Sequence, residues 1–450
     1  MSDLLLGIDV GTTACKAAIV DVAGAERAHG SAPTPWDRVP TGAEIDPDAL
    51  REAAVAAAAA ALREAPEGRV RGIGVAGMAE TGVLLDGRGE PLAPAIAWHD
   101  ARGGDEARSL GEDLGVERFA RTTGLPVIAL CTAPKLRWMV ANRPAVRAAR
   151  RWLNVGEWVV RGLGGDEVTE LSLASRTGLF DLDAKAPFAD ALAWTGMPAD
   201  LLPEPILAGT PAGTAGDTLA GARGAVLTVA GHDHLAAGIG VGVVAPGDVL
   251  DSCGTAEALV RVVAPPLEGD QILRAVRNDV SVGWHVAEGR HALLGGLWTG
   301  LALREVLDGL AIGDADRHEL DAGAIATAPG DVPALELDLV SLERRPPHLP
   351  GGVAPERVWR AALDTAAAEI DARLARIDAI AGPRRRVVVT GGWARDEAVL
   401  ATKASRIGSF EHPPVLEAGA RGAALLAGVA AGLFESADAL PPTPVPAGRS

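Results

Sequence analysis

Short apolar runs that end in small polar residues alternate with longer segments of helical periodicity along this chain. The apolar runs predict strands over 4–8, 16–22, 70–76 and 82–86. An alanine-rich segment over 48–65 predicts a helix, which starts at Asp46-Pro-Asp48 because acidic side chains stabilise the positive end of the helix dipole. The first part of the chain therefore predicts a mixed α/β domain in which strands precede the first long helix.

The second half of the sequence repeats the plan of the first. Residues 247–263 again predict a strand, a loop of small residues and a second strand. The two loops read Asp9-Val-Gly-Thr-Thr and Asp251-Ser-Cys-Gly-Thr, so each places an aspartate shortly before a Gly-Thr pair. Later segments predict helices over 297–309 and 355–381 and a strand over 386–390.

Duplication of such a unit predicts two related domains. We expect them over 1–244 and 245–450, because the apolar segment that ends at 244 runs into a Pro-Gly turn signal. Ligands of proteins with this organisation tend to bind in the cleft between the halves.

Composition and charge narrow the classes of protein that fit. The 450 residues carry 42 basic and 59 acidic side chains, a net charge of −17 that argues against a nucleic-acid partner. Neither a transmembrane-length apolar run nor a signal-peptide pattern is present, so we expect no membrane partner. Cys15, Cys131 and Cys253 are odd in number and far apart, which disfavours a disulfide framework. We therefore expect a cytoplasmic enzyme with a frayed Pro-rich tail over 441–450, and a homodimer is left open.

The first of the two Asp-Gly-Thr loops has a use in phosphate binding. Gly11 lets the backbone approach a ligand, while Thr12 and Thr13 offer hydroxyl and N–H groups to phosphate oxygens. Asp9 is predicted to hold Mg²⁺, directly or through water, because phosphate-bound Mg²⁺ keeps several waters. A plain β-hairpin, in which Gly-Thr turns are common, is the alternative. The similar loop in the second half favours phosphate binding and predicts a nucleotide clamped by both loops.

An aspartate stands between two histidines at the end of an apolar strand. Because a buried charge is costly unless it is used or paired, Asp233 is a candidate general base that takes a proton from a hydroxyl group. A metal site is the alternative, although a continuing strand would place His232 and His234 on one face and Asp233 on the other. A third interpretation is an N-cap at Asp233 for a following helix. We include His232 among the predicted substrate contacts.

A second set of polar residues lies upstream of Asp233, where two apolar segments end. Glu80 is predicted to accept hydrogen bonds from sugar hydroxyl groups, and Trp98 to offer an apolar face to the C–H side of a sugar. Asp100 is a further predicted substrate contact, with a structural ion pair to Arg102 as the alternative. Far downstream, the glycine turn at Gly391 is predicted to pass beneath an adenine or a ribose without obstruction by a side chain.

Taken in order, these motifs resemble those of the FGGY family of carbohydrate kinases, within the actin/Hsp70/hexokinase-type superfamily of ATPases. The resemblance covers nearly the whole chain and rests on Asp9-Val-Gly-Thr-Thr, Trp98-x-Asp-x-Arg102, Thr123-Gly-Leu-Pro126, Pro134-Lys-Leu-Arg-Trp138, Gly231-His-Asp233, Cys253-Gly-Thr255, Gly391-Gly392 and Glu417-x-Gly-x-x-Gly-Ala-Ala424. It implies an α/β fold of two RNase H-like (actin-like ATPase) domains, with ATP and a sugar in the ligand cleft between them.

The resemblance also implies roles for single residues. Asp233 matches the catalytic base, and Glu80 and Trp98 match substrate contacts of the glycerol kinase branch. The predicted cofactor-binding residues for ATP and Mg²⁺, with Gly11 and Lys16 added from the first loop, are Asp9, Gly11, Thr12, Thr13, Lys16, Gly254, Thr255, Gly391 and Gly392. The glycerol kinase branch has an arginine before the glutamate, where this chain has Ala79, and a tyrosine contact, whereas this chain contains no tyrosine.

We therefore expect an ATP- and Mg²⁺-dependent kinase that phosphorylates a primary hydroxyl group of a small sugar, ketose or polyol, with xylulokinase-like or related specificity. A non-catalytic nucleotide or sugar sensor on the same fold is one alternative, and a metal-dependent hydrolase that uses His232, Asp233 and His234 is the other. The presence of both Asp9 and Asp233 argues against a sensor, since a pure binding protein needs neither.

Overall fold

The computed structural model describes residues 2–313, 316–328, 334–341 and 345–444. The chain divides into two compact units: unit 1 comprises Met1–Pro246, Val262–Ala292 and Pro414–Ser450, and unit 2 comprises Gly247–Arg261 and Leu293–Pro413. The chain leaves unit 1 two residues beyond the predicted boundary at 244 and later returns to it twice. The assignment of 1–244 and 245–450 to two domains therefore stays a prediction. Of the predicted frayed tail, 445–450 lie outside the described residues.

Helices and strands are mixed along the whole chain, as expected of an α/β protein. The helices are α1 (Pro47–Glu64), α2 (Gly104–Leu114), α3 (Val116–Thr123), α4 (Thr132–Asn142), α5 (Val155–Gly162), α6 (Leu171–Ala174), α7 (Ala189–Thr195), α8 (Asp233–Gly240), α9 (Asp270–Arg277), α10 (Thr299–Gly309), α11 (Arg317–Ala326), α12 (Pro355–Ala381), α13 (Glu397–Ile407) and α14 (Ala418–Ala430). The strands are β1 (Ser2–Val10), β2 (Ala14–Asp21), β3 (Glu26–Pro33), β4 (Asp37–Val39), β5 (Gly42–Ile45), β6 (Gly68–Gly77), β7 (Gly82–Leu85), β8 (Ala95–Ile96), β9 (Arg151–Asn154), β10 (Thr169–Glu170), β11 (Phe180–Asp181), β12 (Ala186–Pro187), β13 (Pro205–Ile206), β14 (Val226–His232), β15 (Asp248–Cys253), β16 (Glu257–Val263), β17 (Ser281–Trp284), β18 (His291–Leu297) and β19 (Arg386–Thr390).

The main sheet of unit 1 has the strand order β14-β6-β1-β2-β3. Strand β6 pairs in parallel with both β1 and β14, while β1 and β2 form an antiparallel hairpin in which Asp9 lies opposite Lys16. Because β1, β6 and β14 run in the same direction, their carboxyl ends meet at one edge of the sheet. The residues at these strand ends, Asp9 and Asp233 among them, are brought together at that edge.

Alternation of side chains along β1 decides which helix covers which face of this sheet. Leu6 and Ile8 belong to an apolar core that also contains the buried alanines of α1. Gly7 points the other way, where a Cβ atom would lie 1.8 Å from the backbone oxygen of Ala420 in α14. Glycine is therefore needed here, because α14 packs with its backbone directly against the strand.

Unit 2 repeats the combination of a hairpin with a parallel strand. Strand β15 pairs antiparallel with β16 and parallel with β19, as β1 does with β2 and β6. Helices α10 to α13 contribute to an apolar core in which Trp359 and Val306 are completely buried. The predicted duplication of the strand plan is therefore confirmed.

The longest predicted elements agree with the structure. The helix predicted over 355–381 is α12, the strand predicted over 386–390 is β19, and the helix predicted over 297–309 begins at Thr299. All three cysteines are free and buried. Among the described residues, no helix combines the length and the apolar character that crossing a membrane requires.

Candidate active site

Two aspartates stand at the carboxyl edge of the main sheet in unit 1. Asp9 is the penultimate residue of β1, and Asp233 follows β14 as the first residue of α8. Burial raises the pKa of Asp9 to about 7, and the negative charge of Asp233 contributes to this rise. Burial likewise raises the pKa of Asp233 to about 7. The structure thus brings the predicted base and the predicted Mg²⁺ ligand into electrostatic contact.

The start of α8 determines the surroundings of Asp233. His232 ends β14 and occupies the N-cap position, and Asp233 Oδ1 accepts a hydrogen bond from the backbone N–H of His234 at 2.7 Å. The expectation of a continuing strand, with both histidines on one face and Asp233 on the other, is wrong because the backbone turns into a helix at Asp233. The imidazole rings of His232 and His234 instead meet edge to face, with their centroids 5.3 Å apart.

Both imidazoles beside Asp233 are held in the neutral form. Burial lowers the pKa of His234 to about 4 and lowers the pKa of His232 well below its usual value. His232 Nε2 lies 3.3 Å from Asp233 Oδ1, and one ligand atom from each of the three residues falls within 4.8 Å of the others. A neutral imidazole at this distance can orient the carboxylate without cancelling its charge.

The side chain of Asp9 has the properties of a cation ligand. Its Oδ1 is buried and accepts no hydrogen bond within the described part of the chain. Its Oδ2 packs against α14, where a Cβ atom on Gly419 would lie only 2.3 Å away. Buried carboxylate oxygens are normally hydrogen-bonded or bound to a cation, so Asp9 fits Mg²⁺ or a water of its hydration shell.

The loop after β1 is anchored by side chains from later segments. Trp36 Nε1 donates to the carbonyl oxygen of Thr12 at 2.6 Å, and Trp98 Nε1 donates to Thr12 Oγ1 at 2.9 Å. Thr34 Oγ1 donates to the carbonyl oxygen of Gly11 at 2.7 Å. This loop is therefore more than a plain hairpin turn, because its backbone is held from outside the hairpin.

The remaining predicted residues of this loop are more exposed. Thr13 is exposed at the tip of the loop, and Lys16 lies beyond it on β2. Lys16 Nζ forms an ion pair of 2.8 Å with Glu417, which occupies the N-cap position of α14. The positive charge of Lys16 opposes the rise in the pKa of Asp9 that burial and Asp233 produce.

Trp98 and Asp100 differ in what they can offer to a ligand. Trp98 is half-buried, whereas the side chain of Asp100 is completely buried. Arg102 donates to both carboxylate oxygens of Asp100 at 2.9 and 2.7 Å, and the backbone N–H of Ala43 donates to Oδ2 at 2.7 Å. Burial opposes ionisation, but these hydrogen bonds outweigh it and lower the pKa of Asp100. The geometry is that of the structural ion pair, so we do not propose Asp100 as a substrate contact.

Glu80 lies near Asp233 in a backbone conformation that is uncommon for a residue with a side chain. Its φ is 62°, in the left-handed region, and the residue is 7% exposed. Its charge adds to burial in raising the pKa of Asp233. Arg176 Nε donates to Glu80 Oε1 at 2.7 Å across a separation of 96 residues. Sequence reasoning missed Arg176 because no local pattern connects positions so far apart.

Unit 2 carries the other predicted nucleotide contacts. Gly254 and Thr255 form the turn between β15 and β16, and Gly391 follows β19. At Gly391, where φ is +105°, a Cβ atom would lie 2.5 Å from the carbonyl oxygen of Cys253. A Cβ atom on Gly392 would meet open space. The two glycine-containing turns of unit 2 are therefore neighbours.

Next to these turns lies a buried charged cluster that the sequence patterns did not reveal. Lys403 Nζ lies 2.6 Å from Asp251 Oδ2 and 3.0 Å from Cys253 Sγ, and it pairs with Glu257 as well. Burial raises the pKa of Glu257 to about 8, with a contribution from the charge of Asp251. Cys253, Glu257 and Lys403 of this cluster line a pocket together with Trp393 and other residues of unit 2.

Comparison with known proteins shows the family of this chain. The model of the FGGY family of carbohydrate kinases, N-terminal domain, matches residues 4–240. A glycerol kinase from Bordetella parapertussis is 30% identical over 97% of this chain and 90% of its own length. A xylulose kinase from Streptomyces rubiginosus is 34% identical over 58% of this chain and 54% of its own length.

Among solved structures, a xylulose kinase from Rhodospirillum rubrum resembles the chain throughout. The alignment covers 95% of this chain and 92% of the other, with a TM-score of 0.81 and 26% identity. The similarity therefore extends over both units and is not limited to the segment that the family model matches.

Proposed function

Because the chain belongs to the FGGY family of carbohydrate kinases, and is itself a carbohydrate kinase of the two-domain actin-like ATPase fold, we propose that it phosphorylates a primary hydroxyl group of a small polyol or ketose. ATP is the phosphoryl donor and a small sugar or polyol is the acceptor. We propose in particular that the acceptor is a polyol or a ketose and that its primary hydroxyl group is phosphorylated. The observation that carries it is the neighbouring pair Asp9 and Asp233, two half-buried carboxyl groups at one edge of the sheet.

We propose Asp233 as the general base. Its carboxylate takes the proton of the acceptor hydroxyl group as the hydroxyl oxygen forms a bond to the γ-phosphorus, while the bond to ADP breaks. A pKa of about 7 suits this task, because near neutral pH a substantial fraction of the carboxyl group is ionised and the carboxylate is basic enough to accept the proton. His232 and His234, both neutral, orient the carboxylate.

We propose that Asp9 holds Mg²⁺, directly or through water, and that the metal neutralises charge on the phosphates when it is bound. Within unit 1, Gly11, Thr12 and Thr13 supply hydroxyl and N–H groups to phosphate oxygens. Lys16 sits at the base of this loop and balances the charges of Glu417 and Asp9. Within unit 2, the proposed nucleotide contacts are Gly254, Thr255, Gly391 and Gly392.

We propose Glu80, Trp98 and His232 as acceptor contacts. Glu80 is a hydrogen-bond acceptor for a hydroxyl group, and the half-buried ring of Trp98 offers an apolar face. The named activities of the relatives, glycerol kinase and xylulose kinase, point to acceptors of three to five carbons. Neither the sensor nor the hydrolase is favoured, since the relatives are kinases. We also propose the cytoplasm as its compartment, because the three cysteines are free thiols; a homodimer stays a prediction.

An ADP-release assay over an acceptor panel tests the proposal. The panel contains glycerol, other polyols, the pentuloses, the hexuloses and the aldonic acids, each assayed with ATP and Mg²⁺. We expect turnover with at least one polyol or ketose, and loss of that turnover in Asp233→Asn. Failure of every acceptor to raise ADP release above the rate with water alone would contradict the proposal.

A further inference from the structure

An arginine from a separate segment holds the carboxylate that we propose as an acceptor contact. Arg176 lies just after α6, and its Nε and Nη2 atoms lie 2.7 and 2.6 Å from the same oxygen, Oε1 of Glu80. Its third nitrogen, Nη1, donates to Ser281 Oγ in β17 at 2.7 Å. The guanidinium group is thus bonded to Glu80, which follows β6, and to Ser281 of β17. The Arg176 side chain is 17% exposed.

The two bonds from Arg176 leave the two oxygens of Glu80 in different situations. Oε1 accepts both bonds. Oε2 accepts none within the described part of the chain, and it is not among the buried atoms that lack a partner, so it keeps some access to solvent. Two charge-assisted hydrogen bonds to Oε1 restrict the Glu80 side chain more than one bond would, so Oε2 is held in place and left to accept a hydrogen bond from a ligand. A fixed acceptor oxygen recognises a hydroxyl group well, because no reorientation is needed on binding.

Electrostatic effects show that this pair lies beside the proposed base. Burial is the main cause of the raised pKa of Asp233, and the charge of Glu80 adds to it. Burial also dominates the lowered pKa of His232 and His234, and the positive charge of Arg176 contributes to both. Arg176, Glu80 and the His-Asp-His segment therefore form one local group, although they come from three separate parts of the chain.

We infer that Arg176 is a positioning residue for acceptor selection, which holds Glu80 so that Oε2 receives one hydroxyl group of a neutral polyol or ketose. This rests on the proposed function. The surroundings of the acceptor then contain one compensated carboxylate and the carboxylates of Asp233 and Asp9, so an acceptor that itself bears a carboxylate is repelled. Neutral polyhydroxylated acceptors are accepted and aldonic acids are rejected.

A purely structural role is the competing explanation, since Arg176 also ties the turn after α6 to β17. Loss of such a tie would lower the amount of folded enzyme and the apparent kcat for every acceptor alike. Loss of positioning would instead raise the KM for the acceptor, because Glu80 would no longer present Oε2 in a fixed orientation. The two roles are therefore separable by steady-state kinetics.

The experiment compares Arg176→Met, Arg176→Lys and wild type with the best neutral acceptor of the panel and with the aldonic acid of the same carbon number. Arg176→Met should raise the KM for the neutral acceptor about tenfold or more, with a change in the KM for ATP of less than about twofold. Arg176→Lys keeps the charge but cannot bond Glu80 and Ser281 at the same time, so its KM for the neutral acceptor should lie between those of wild type and Arg176→Met. The matched control is Arg118→Lys, which alters an exposed ion pair with Asp190 in the same unit and should match wild type.

The outcomes separate this inference from the proposed function. A wild type that phosphorylates no acceptor refutes the proposed function and the inference with it. A wild type that turns over a ketose or polyol, while both Arg176 variants keep its KM, refutes the inference alone. Preference of the wild type for the aldonic acid refutes it as well. If Arg176→Met does not fold, Ser281→Ala, which removes the Oγ partner of Nη1, should raise the acceptor KM by a smaller factor, and an unchanged KM would overturn the inference.

Discussion

Burial and the negative charge of Asp233 together raise the pKa of Asp9, although the two residues come from opposite ends of the parallel part of one sheet. Both carboxyl groups reach a pKa of about 7, so near neutral pH neither is fully ionised without compensation. A cation bound beside them stabilises both charged forms. The Mg²⁺ that we propose for the reaction would therefore relieve the cost of bringing the two groups together.

Removal of the proposed base tests the assignment of Asp233. Asp233→Asn keeps the shape of the side chain and its bond from the N–H of His234, but it cannot accept a proton from the acceptor. We expect kcat to fall by about a hundredfold to ten-thousandfold while the affinity for ATP changes little. Steady-state kinetics and calorimetric titration with ATP measure the two quantities.

The control for this variant is Asp190→Asn, which removes an exposed carboxylate of unit 1 that pairs with Arg118. It should leave turnover unchanged. Near-normal turnover of Asp233→Asn with the true acceptor would show that another group takes the proton.

The pH dependence of kcat follows from the raised pKa of Asp233. Because the protonated acid cannot serve as a base and bound Mg²⁺ favours the carboxylate, kcat should fall with decreasing pH, with a midpoint below about 7 and a slope that approaches tenfold per pH unit. The charge of Glu80 contributes to the rise, so Glu80→Gln should move this fall toward lower pH. Measurement of kcat between about pH 5 and pH 9 at saturating Mg²⁺ shows where this fall occurs. If kcat of Glu80→Gln falls over the same pH range as kcat of wild type, a group other than Asp233 controls the fall.

Much of the fold followed from periodicity, and the exceptions have physical reasons. The long helix α12 and the apolar strand β19 were predicted with their observed bounds, since each buries a continuous set of apolar side chains. Strand β3 was not predicted, because its Glu26–Pro33 sequence is small, polar and mostly half-exposed at the edge of the sheet. Edge strands bury little, so hydrophobic alternation does not mark them.

The site was predictable only where its residues are close in sequence. Asp9 and Asp233 each stood at the end of an apolar strand, where a charge is conspicuous. Arg176 and Lys403 looked like ordinary charged residues in the sequence. Both are revealed only when distant segments meet, at Glu80 in the first case and at Asp251 in the second. Long-range ion pairs of this kind leave no periodic or spacing signal in a single sequence.

Gly231 controls the path of the chain into Asp233. Its φ is +90°, and a Cβ atom there would lie 2.6 Å from Ser172 Oγ and 2.9 Å from Glu170 Oε2. Gly231→Ala should therefore lose about 3 kcal/mol of stability and displace the start of α8, with a large fall in kcat. Gly224→Ala is the matched control, since Gly224 also has positive φ but open space around it. It should cost only about 1 kcal/mol in urea unfolding and keep its activity. Equal effects of the two variants would mean that crowding at Gly231 is unimportant.

Lys403 balances buried acidic groups in unit 2. Burial opposes the ionisation of Asp251, but the positive charge of Lys403 and the hydrogen bonds to Asp251 together outweigh it and lower the pKa of Asp251. Lys403→Met therefore leaves an uncompensated carboxylate in the interior. We expect a loss of about 3 to 5 kcal/mol in urea unfolding, most of which returns in the double variant Asp251→Val with Lys403→Met. Arg108→Met, which breaks an exposed ion pair with Asp105, should change stability little. A double variant no more stable than Lys403→Met alone would contradict the charge-balance explanation.

A buried glutamate beneath the proposed base makes the stability of the protein pH-dependent. Burial raises the pKa of Glu170 to about 7. Its Oε1 is buried without a hydrogen-bond partner in the described structure, and the N–H groups of Ser172 and Leu173, which donate to Oε2, offset only part of the rise. A carboxyl group with a raised pKa in the folded state binds its proton more tightly there than in the unfolded chain. Its contribution is complete below about pH 4.5 and is lost as the pH rises through about 7, a total of about 3 kcal/mol.

Glu170→Gln removes this titration and keeps an oxygen to accept the bonds from Ser172 and Leu173. The free energy of unfolding of the variant should therefore fall less than that of wild type between about pH 5 and pH 8, so the difference between the two proteins should change across this window. Urea unfolding at several pH values measures the difference, with Glu67→Gln, at an exposed glutamate of unit 1, as the control that should follow wild type. Parallel curves for Glu170→Gln and wild type would show that Glu170 stays ionised in the folded protein, because only then would its removal leave the pH dependence unchanged.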